Sequence, residues 1–160
     1  MIICFDLDGT LVDTEKWIKE SEILAFKKNK IKITNKELHS VWGLNLTTQI
    51  KTLYPKLTQK EINKIRKDFE EIRKEKINLI KPFKNTKKIL KILSKKYTLC
   101  LLSNNTHKKI ELILNKTKID KKLFTVIIGY DEVKRAKPFP DEIYKAEKKL
   151  GKNVKFMIGD

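Results

Sequence analysis

The chain opens on a short apolar run, residues 1–5, and the apolar and β-branched residues of this run predict a buried strand. Polar residues begin directly after it, where Asp6 and Asp8 flank a leucine and a Gly-Thr pair follows. A buried carboxylate is costly unless it is paired, hydrogen-bonded or bound to a metal ion. We therefore expect the two acids either in water beyond the strand end or around a cationic group.

A second pattern, apolar residues at helical spacing, covers the next part of the chain, and no strand pattern occurs between residues 15 and 80. Residues 14–29 have helical character, and Asn35 is expected to cap a short helix that carries Leu38, Val41 and Trp42. Thr58 and Glu61 form a capping box ahead of a long amphipathic helix. Residues 15–81 are therefore predicted to form an all-helical insertion.

After Pro82 strands alternate with helices. The predicted strands cover residues 98–102, 125–128 and 154–158, and Thr86 is expected to cap the first of the intervening helices. This alternation predicts right-handed crossovers and a parallel sheet covered on both faces. The fold class is therefore α/β, with a Rossmann-like core of residues 1–14 and 82–160 interrupted by the helical insertion.

Polar side chains follow each predicted strand, at the edge where ligands bind in such sheets. Three oxygen ligands, Asp6, Asp8 and Asp160, would suit Mg²⁺, which prefers hard oxygen donors. The remaining polar residues suit a phosphoryl group, since hydroxyls, amides and a lysine hydrogen-bond its oxygens. They are Thr10 after the first strand, Ser103 and Asn104 after the second, and Lys137 after the third.

Composition narrows the class of protein. The 160 residues are 40% hydrophobic and 36% charged, which is typical of a soluble globular chain. No apolar run approaches the roughly 18 residues of a membrane span, and no signal peptide precedes the first strand, so a cytoplasmic protein is expected. The net charge of +17 comes from lysines spread along the chain. Solvated helix faces explain it better than a nucleic-acid partner, which is not expected.

Four ordered segments carry a resemblance to a known family: FDLDGTL, LLSNN, KP within AKPFPDEIY, and the terminal MIGD. Together they resemble the four motifs of the haloacid dehalogenase superfamily, and the phosphoglycolate phosphatase-like branch in particular. The resemblance implies a phosphatase that acts on a small phosphorylated metabolite through an aspartyl-phosphate. Asp6 would be the nucleophile and Asp8 the acid and base, while Asp6, Asp8 and Asp160 would bind Mg²⁺.

The same resemblance implies that Thr10, Ser103, Asn104 and Lys137 bind the phosphoryl group. Residues 15–81 would be the helical cap, which excludes water and selects the substrate. Trp42 and Gly43 resemble a cap loop that reaches the active site, although Trp42 is explained equally well as a core residue of the cap.

Three alternatives stay open at this point. Members of the branch continue beyond the fourth motif, whereas this sequence ends at Asp160, so a truncated phosphatase, a site completed by a second chain or a loss of activity is expected. A sugar-phosphate mutase of the β-phosphoglucomutase type would use the same motifs. An inactive, basic nucleic-acid-binding protein is the third alternative. The substrate and the oligomeric state do not follow from the sequence.

Overall fold

The computed structural model describes residues 1–42 and 44–159. Strands and helices alternate through the first and last parts of the described chain, and helices alone occupy the middle. In chain order the elements are β1 (Ile2–Phe5), β2 (Val12–Asp13), α1 (Glu15–Lys28), α2 (Asn35–Ser40), α3 (Leu46–Leu53), α4 (Gln59–Glu75), β3 (Lys81–Pro82), α5 (Thr86–Ser94), β4 (Thr98–Ser103), α6 (His107–Thr117), β5 (Val126–Gly129), α7 (Asp141–Leu150) and β6 (Val154–Ile158).

The chain divides into two compact units. Met1–Thr14 and Ile80–Asp160 form an α/β unit, and Glu15–Leu79 form a helical unit. The two-stranded antiparallel pair of β2 and β3 lies within the α/β unit, where the chain leaves it and returns. The sequence analysis did not predict this pair, because two-residue strands leave no periodic pattern to detect. No helix among the described residues is long and apolar enough to cross a bilayer.

The sheet of the α/β unit has four parallel strands in the order β5-β4-β1-β6. β1 therefore lies between β4 and β6, and Cys4 pairs with Cys100 in the register of β1 and β4. Both cysteines are buried free thiols, as predicted from their apolar surroundings. β4 is buried on both faces from Leu99 to Ser103, as expected of a central strand covered by helices on both sides.

One face of this sheet packs against α7. Alternate residues of β1 and β4 point to this face, because side chains along a strand alternate between the two faces. They form one apolar cluster with Ala146 of α7; its strand members are Ile2, Cys4, Cys100, Leu102, Val126 and Ile128. The cluster fixes α7 against the sheet through the middle of the helix and leaves its first turn toward the carboxyl ends of the strands.

Two predicted helix starts are wrong by one residue, for a reason that a polar side chain decides. Thr34, and not Asn35, caps α2, because the Thr34 hydroxyl and Glu37 form a reciprocal capping box. Asn85, in a left-handed conformation, precedes α5, and the hydroxyl of Thr86 donates instead to the carbonyl oxygen of Leu11 at 3.2 Å. The capping box of Thr58 and Glu61 is confirmed.

The helical unit has its own core, where α1 and α3 pack along α4. Its buried members are Ala25, Phe26, Ile50, Ile62, Ile65, Phe69 and Ile72. Leu38 and Val41 are also buried, but Trp42 is 37% exposed, with Lys19 Nζ 4.9 Å from its ring centroid. The interpretation of Trp42 as a core residue is therefore wrong, since α2 ends at Ser40 and the helical spacing stops there.

A buried carboxyl group lies inside the helical unit. Glu22 is 2% exposed, and Gln49 Nε2 donates to its Oε1 at 3.2 Å and to the Leu44 carbonyl at 2.9 Å. Burial raises the pKa of Glu22 to about 7, although the Gln49 hydrogen bond and the charge of Arg73 oppose the shift. Between pH 4.5, the group's ordinary pKa, and about 7, the folded state therefore holds a proton that the unfolded chain releases.

This shift predicts that stability falls as the pH rises through that range. Glu22→Gln should raise the free energy of unfolding by about 3 kcal/mol near pH 8, and by much less near pH 5, because each pKa unit corresponds to about 1.4 kcal/mol. Urea unfolding at both pH values measures the difference. Glu75→Gln, at an exposed position of α4, is the control and should change neither value. An equal gain at both pH values would contradict the assignment.

Candidate active site

The carboxyl end of β1 sets the position of the first motif. The Asp6 N–H donates to the Ile158 carbonyl of β6 at 2.8 Å, so the backbone pairing of the sheet continues into the motif. Leu7 is fully buried, and its carbonyl accepts from Leu11 at 2.9 Å and Val12 at 3.0 Å, which closes the loop. Asp6 and Asp8 consequently stand on either side of an anchored leucine, on a loop held to the sheet at both ends.

Asp6 and Lys137 form an ion pair, with 2.6 Å between Asp6 Oδ1 and Lys137 Nζ. Asp6 Oδ1 also accepts from the Leu7 N–H at 2.7 Å, and Lys137 Nζ donates to the Leu102 carbonyl at 3.2 Å. The side chains of Asp6 and Lys137 stay 19% and 24% exposed, so a ligand can reach both. The pair therefore joins an anion of β1 to a cation supplied more than a hundred residues later.

Asn104 holds the lysine loop in place. Its side-chain oxygen accepts from the Lys137 N–H at 3.0 Å, and its side-chain nitrogen donates to the Lys137 carbonyl at 3.2 Å. Two hydrogen bonds from one amide fix both the distance and the direction of the backbone at Lys137. The Asn104 side chain is thus occupied in supporting Lys137, which leaves its backbone for any contact with a bound group.

Asn105 connects the second acid to the second motif. Its side-chain nitrogen donates to Asp8 Oδ2 and, at 3.1 Å, to the hydroxyl oxygen of Ser103, which also accepts from the Asn105 N–H at 3.2 Å. Ser103 is the last residue of β4 and is fully buried. Asp8 is therefore oriented by a residue whose own position is fixed at the end of the neighbouring strand.

The environment of Asp8 favours its protonated form. Burial raises the pKa of Asp8 above its ordinary value, and the nearby charge of Asp6 adds to the shift. Hydrogen bonds from Thr14 and Asn105 and the charge of Lys109 act in the opposite direction. A carboxyl group that keeps its proton more readily than usual is suited to donate that proton to a leaving group.

The structure brings together Asp6, Asp8, Ser103, Asn104 and Lys137 of the predicted set. The Thr10 hydroxyl is buried without a hydrogen-bond partner among the described residues. Trp42 belongs to the helical unit. The predicted residues Gly43 and Asp160 lie outside the described residues. Within the described ranges, no three His, Cys, Asp or Glu side chains gather into a possible metal site.

Sequence reasoning missed Asn105, Thr14 and Lys109. Asn105 stands inside the LLSNN segment, so its position in the motif was a usable signal, but which of two adjacent asparagines faces Asp8 depends on the loop conformation. Thr14 and Lys109 carry no signal of their own, because they approach Asp8 only through the folded loops.

Comparisons with known proteins agree with this geometry. The model of a family described as haloacid dehalogenase-like hydrolase matches residues 3–160. A pyrophosphatase named PpaX from Oceanobacillus iheyensis is 31% identical over 162 residues, which cover 99% of this chain and 73% of that protein.

Two solved structures share the fold. One, from Haemophilus somnus and described as a predicted phosphoglycolate phosphatase, has a TM-score of 0.85 and 27% identity over 97% of this chain and 75% of its own. The other, a haloacid dehalogenase-like family hydrolase from Streptococcus pneumoniae, has a TM-score of 0.82 and 23% identity over 99% of this chain and 75% of its own. At that identity the second likeness supports the fold alone.

The loop that carries Asn105 leaves no room for a side chain at Gly129. A Cβ atom there would lie 2.6 Å from the Asn105 carbonyl oxygen and 2.7 Å from the His107 backbone nitrogen. Gly129→Ala should therefore lower the free energy of unfolding by about 2–3 kcal/mol, because the backbone must move to relieve the overlap.

Gly151→Ala is the matched control, at a left-handed position with φ +64° and nothing within 4 Å of the added atom. It should cost about 1 kcal/mol of backbone strain. Urea unfolding of both variants measures the difference. A Gly129→Ala chain as stable as the Gly151→Ala chain would contradict the close contact.

Proposed function

Because the chain belongs to the haloacid dehalogenase-like hydrolase family, we propose that it is a Mg²⁺-dependent phosphatase of small phosphate monoesters. The observation that carries the proposal is the pairing of Asp6 with Lys137, beside a second acid, Asp8, that Asn105 orients. A nucleophile, a proton donor and a cation for the phosphate are the three groups that phosphoryl transfer through a covalent intermediate needs.

Asp6 is the proposed nucleophile. A carboxylate oxygen of Asp6 attacks phosphorus, the bond from phosphorus to the leaving oxygen breaks, and an aspartyl-phosphate forms. The Leu7 N–H and Lys137 hold the carboxylate in one orientation before the attack. A fixed orientation lowers the entropic part of the barrier.

Asp8 is the proposed acid and base. Its proton goes to the leaving oxygen in the first step, for which the raised pKa of Asp8 is favourable. The ionised Asp8 then takes a proton from the water that attacks the aspartyl-phosphate, which releases inorganic phosphate and restores Asp6. Asn105 keeps the carboxyl group turned toward the reacting atoms in both steps.

The phosphoryl oxygens need several donors. We assign them to Lys137, the hydroxyls of Ser103 and Thr10, and the Asn104 N–H, which are the positions suggested by the motifs. Lys137 neutralises the charge that develops on these oxygens. Support comes from the Asn104 clamp, which fixes the Lys137 backbone, and from the Thr10 hydroxyl, which has no partner among the described residues.

The donor set fits Mg²⁺. Asp6 and Asp8 supply hard oxygen atoms close together, and the raised pKa of Asp8 reflects in part the neighbouring Asp6 charge, which a cation would offset. We assign the metal to the Asp6 carboxylate, the Asp8 carbonyl and Asp160. Bound Mg²⁺ would neutralise charge on the phosphate and on the two acids.

The substrate class follows from the named relatives. One is named a pyrophosphatase and another is described as a predicted phosphoglycolate phosphatase, so small anionic phosphate compounds come first in a substrate panel. The helical unit Glu15–Leu79, inserted between the first motif and the rest of the α/β unit, is assigned the selective role of a cap.

Asp6→Asn should abolish the release of inorganic phosphate. The amide cannot form the aspartyl-phosphate, so turnover should fall at least about 1,000-fold, the scale seen when a nucleophile is removed. The measurement is phosphate release from phosphoglycolate, pyrophosphate and phenyl phosphate, with and without Mg²⁺, on folded samples. Asp13→Asn, an exposed acid of β2, is the control and should keep full activity. Undiminished turnover by the Asp6→Asn chain would refute the assignment.

Asn105→Ala should lower kcat about tenfold and change KM little, because it releases Asp8 without removing it. Steady-state kinetics on the best substrate of the panel measures both constants. Asn115→Ala, at an exposed position of α6, is the control. A changed KM with an unchanged kcat would show that Asn105 serves substrate binding and not Asp8.

A further inference from the structure

Glu142 is a buried acid that the proposed mechanism leaves without a role. It lies in the first turn of α7 and is 1% exposed. Neither of its carboxyl oxygens has a hydrogen-bond partner among the described residues. Buried carboxyl groups are nearly always paired, and exceptions concentrate where function requires a locally unfavourable group. Glu142 therefore needs an explanation that packing does not give.

The fold places Glu142 at the site end of the sheet. It lies four residues before Ala146 on the same face of α7, and Ala146 packs with Cys4 and Leu102 in the apolar cluster. A crossover helix runs opposite to its parallel strands, so the turn that precedes Ala146 lies toward their carboxyl ends. Asp6 continues the alternation of Ile2 and Cys4 toward this same face.

The electrostatics agree with this placement. Burial raises the pKa of Glu142, the charge of Lys137 opposes the shift, and the charge of Asp6 adds to it. Both members of the ion pair therefore act on Glu142. In the present arrangement Lys137 Nζ is bound to Asp6 Oδ1 and to the Leu102 carbonyl, and Leu102 belongs to the cluster that α7 covers.

The reaction removes one of these acceptors. When an Asp6 oxygen bonds to phosphorus, the carboxylate becomes an acyl phosphate and binds the lysine less strongly, because its negative charge is gone. Lys137 must nevertheless remain beside the phosphate. We propose that Glu142 is a positioning residue for Lys137, whose carboxyl oxygens accept the Lys137 ammonium while Asp6 is phosphorylated. This inference rests on the proposed function, since it concerns a step of that reaction.

A double-mutant cycle tests the role, because two groups that act through each other have effects that do not multiply. Glu142→Gln should lower kcat roughly tenfold with KM changed less than about twofold, and should have no further effect in a Lys137→Ala background. Glu142→Met should raise the thermal midpoint of unfolding, because it removes an unpaired buried acid, and should still lower kcat. Glu22→Gln is the matched control, and its effect should be the same in both backgrounds.

A second readout covers the case in which Lys137→Ala has no measurable turnover. Orthovanadate binding, measured by calorimetry on the same four chains, should show the same cycle: a weaker affinity for Glu142→Gln alone and no added loss with Lys137→Ala. Wild-type kcat and vanadate affinity in Glu142→Gln, or effects that multiply with those of Lys137→Ala, would overturn the positioning role alone. A wild-type chain that neither turns over nor binds vanadate would overturn the proposed function, and this inference with it.

Discussion

The central place of β1 in the parallel sheet is the constraint on which the rest of the site depends. Its backbone pairs with β4 on one side and β6 on the other, so the position of Asp6 at its end is fixed from both sides. Ser103 ends the neighbouring strand at the same edge. Parallel pairing thus brings distant parts of the chain to one edge, where a lysine from a loop completes the ion pair.

Buried acids are the cost of this arrangement. Asp8 and Glu142 in the α/β unit both have raised pKa values because burial disfavours their charged forms. Asp8 is compensated by hydrogen bonds, while Glu142 has none among the described residues. Glu22 shows the same effect inside the helical unit, with one hydrogen bond from Gln49. A sheet edge that concentrates carboxyl groups gains reactivity and loses stability.

Local patterns predicted elements better than they predicted contacts. The strand at residues 154–158 and the capping box of Thr58 were predicted correctly, because both depend on side chains within a few residues of each other. The hydroxyl of Thr86 instead reaches the Leu11 carbonyl, 75 positions earlier, and so does not cap its helix. Trp42 was misjudged for a related reason, since α2 ends before it.

The sequence by itself determined the α/β class, the division of the chain into strand-bearing and helical parts, and the presence of four family motifs, because each is written in short-range spacing. Only the tertiary structure decided which polar groups meet. That Asn104 clamps Lys137 while Asn105 turns to Asp8, and that Glu142 is buried beneath the site, depends on loop conformations and on the packing of α7. Those contacts join residues far apart in the chain, and spacing along a sequence does not specify them.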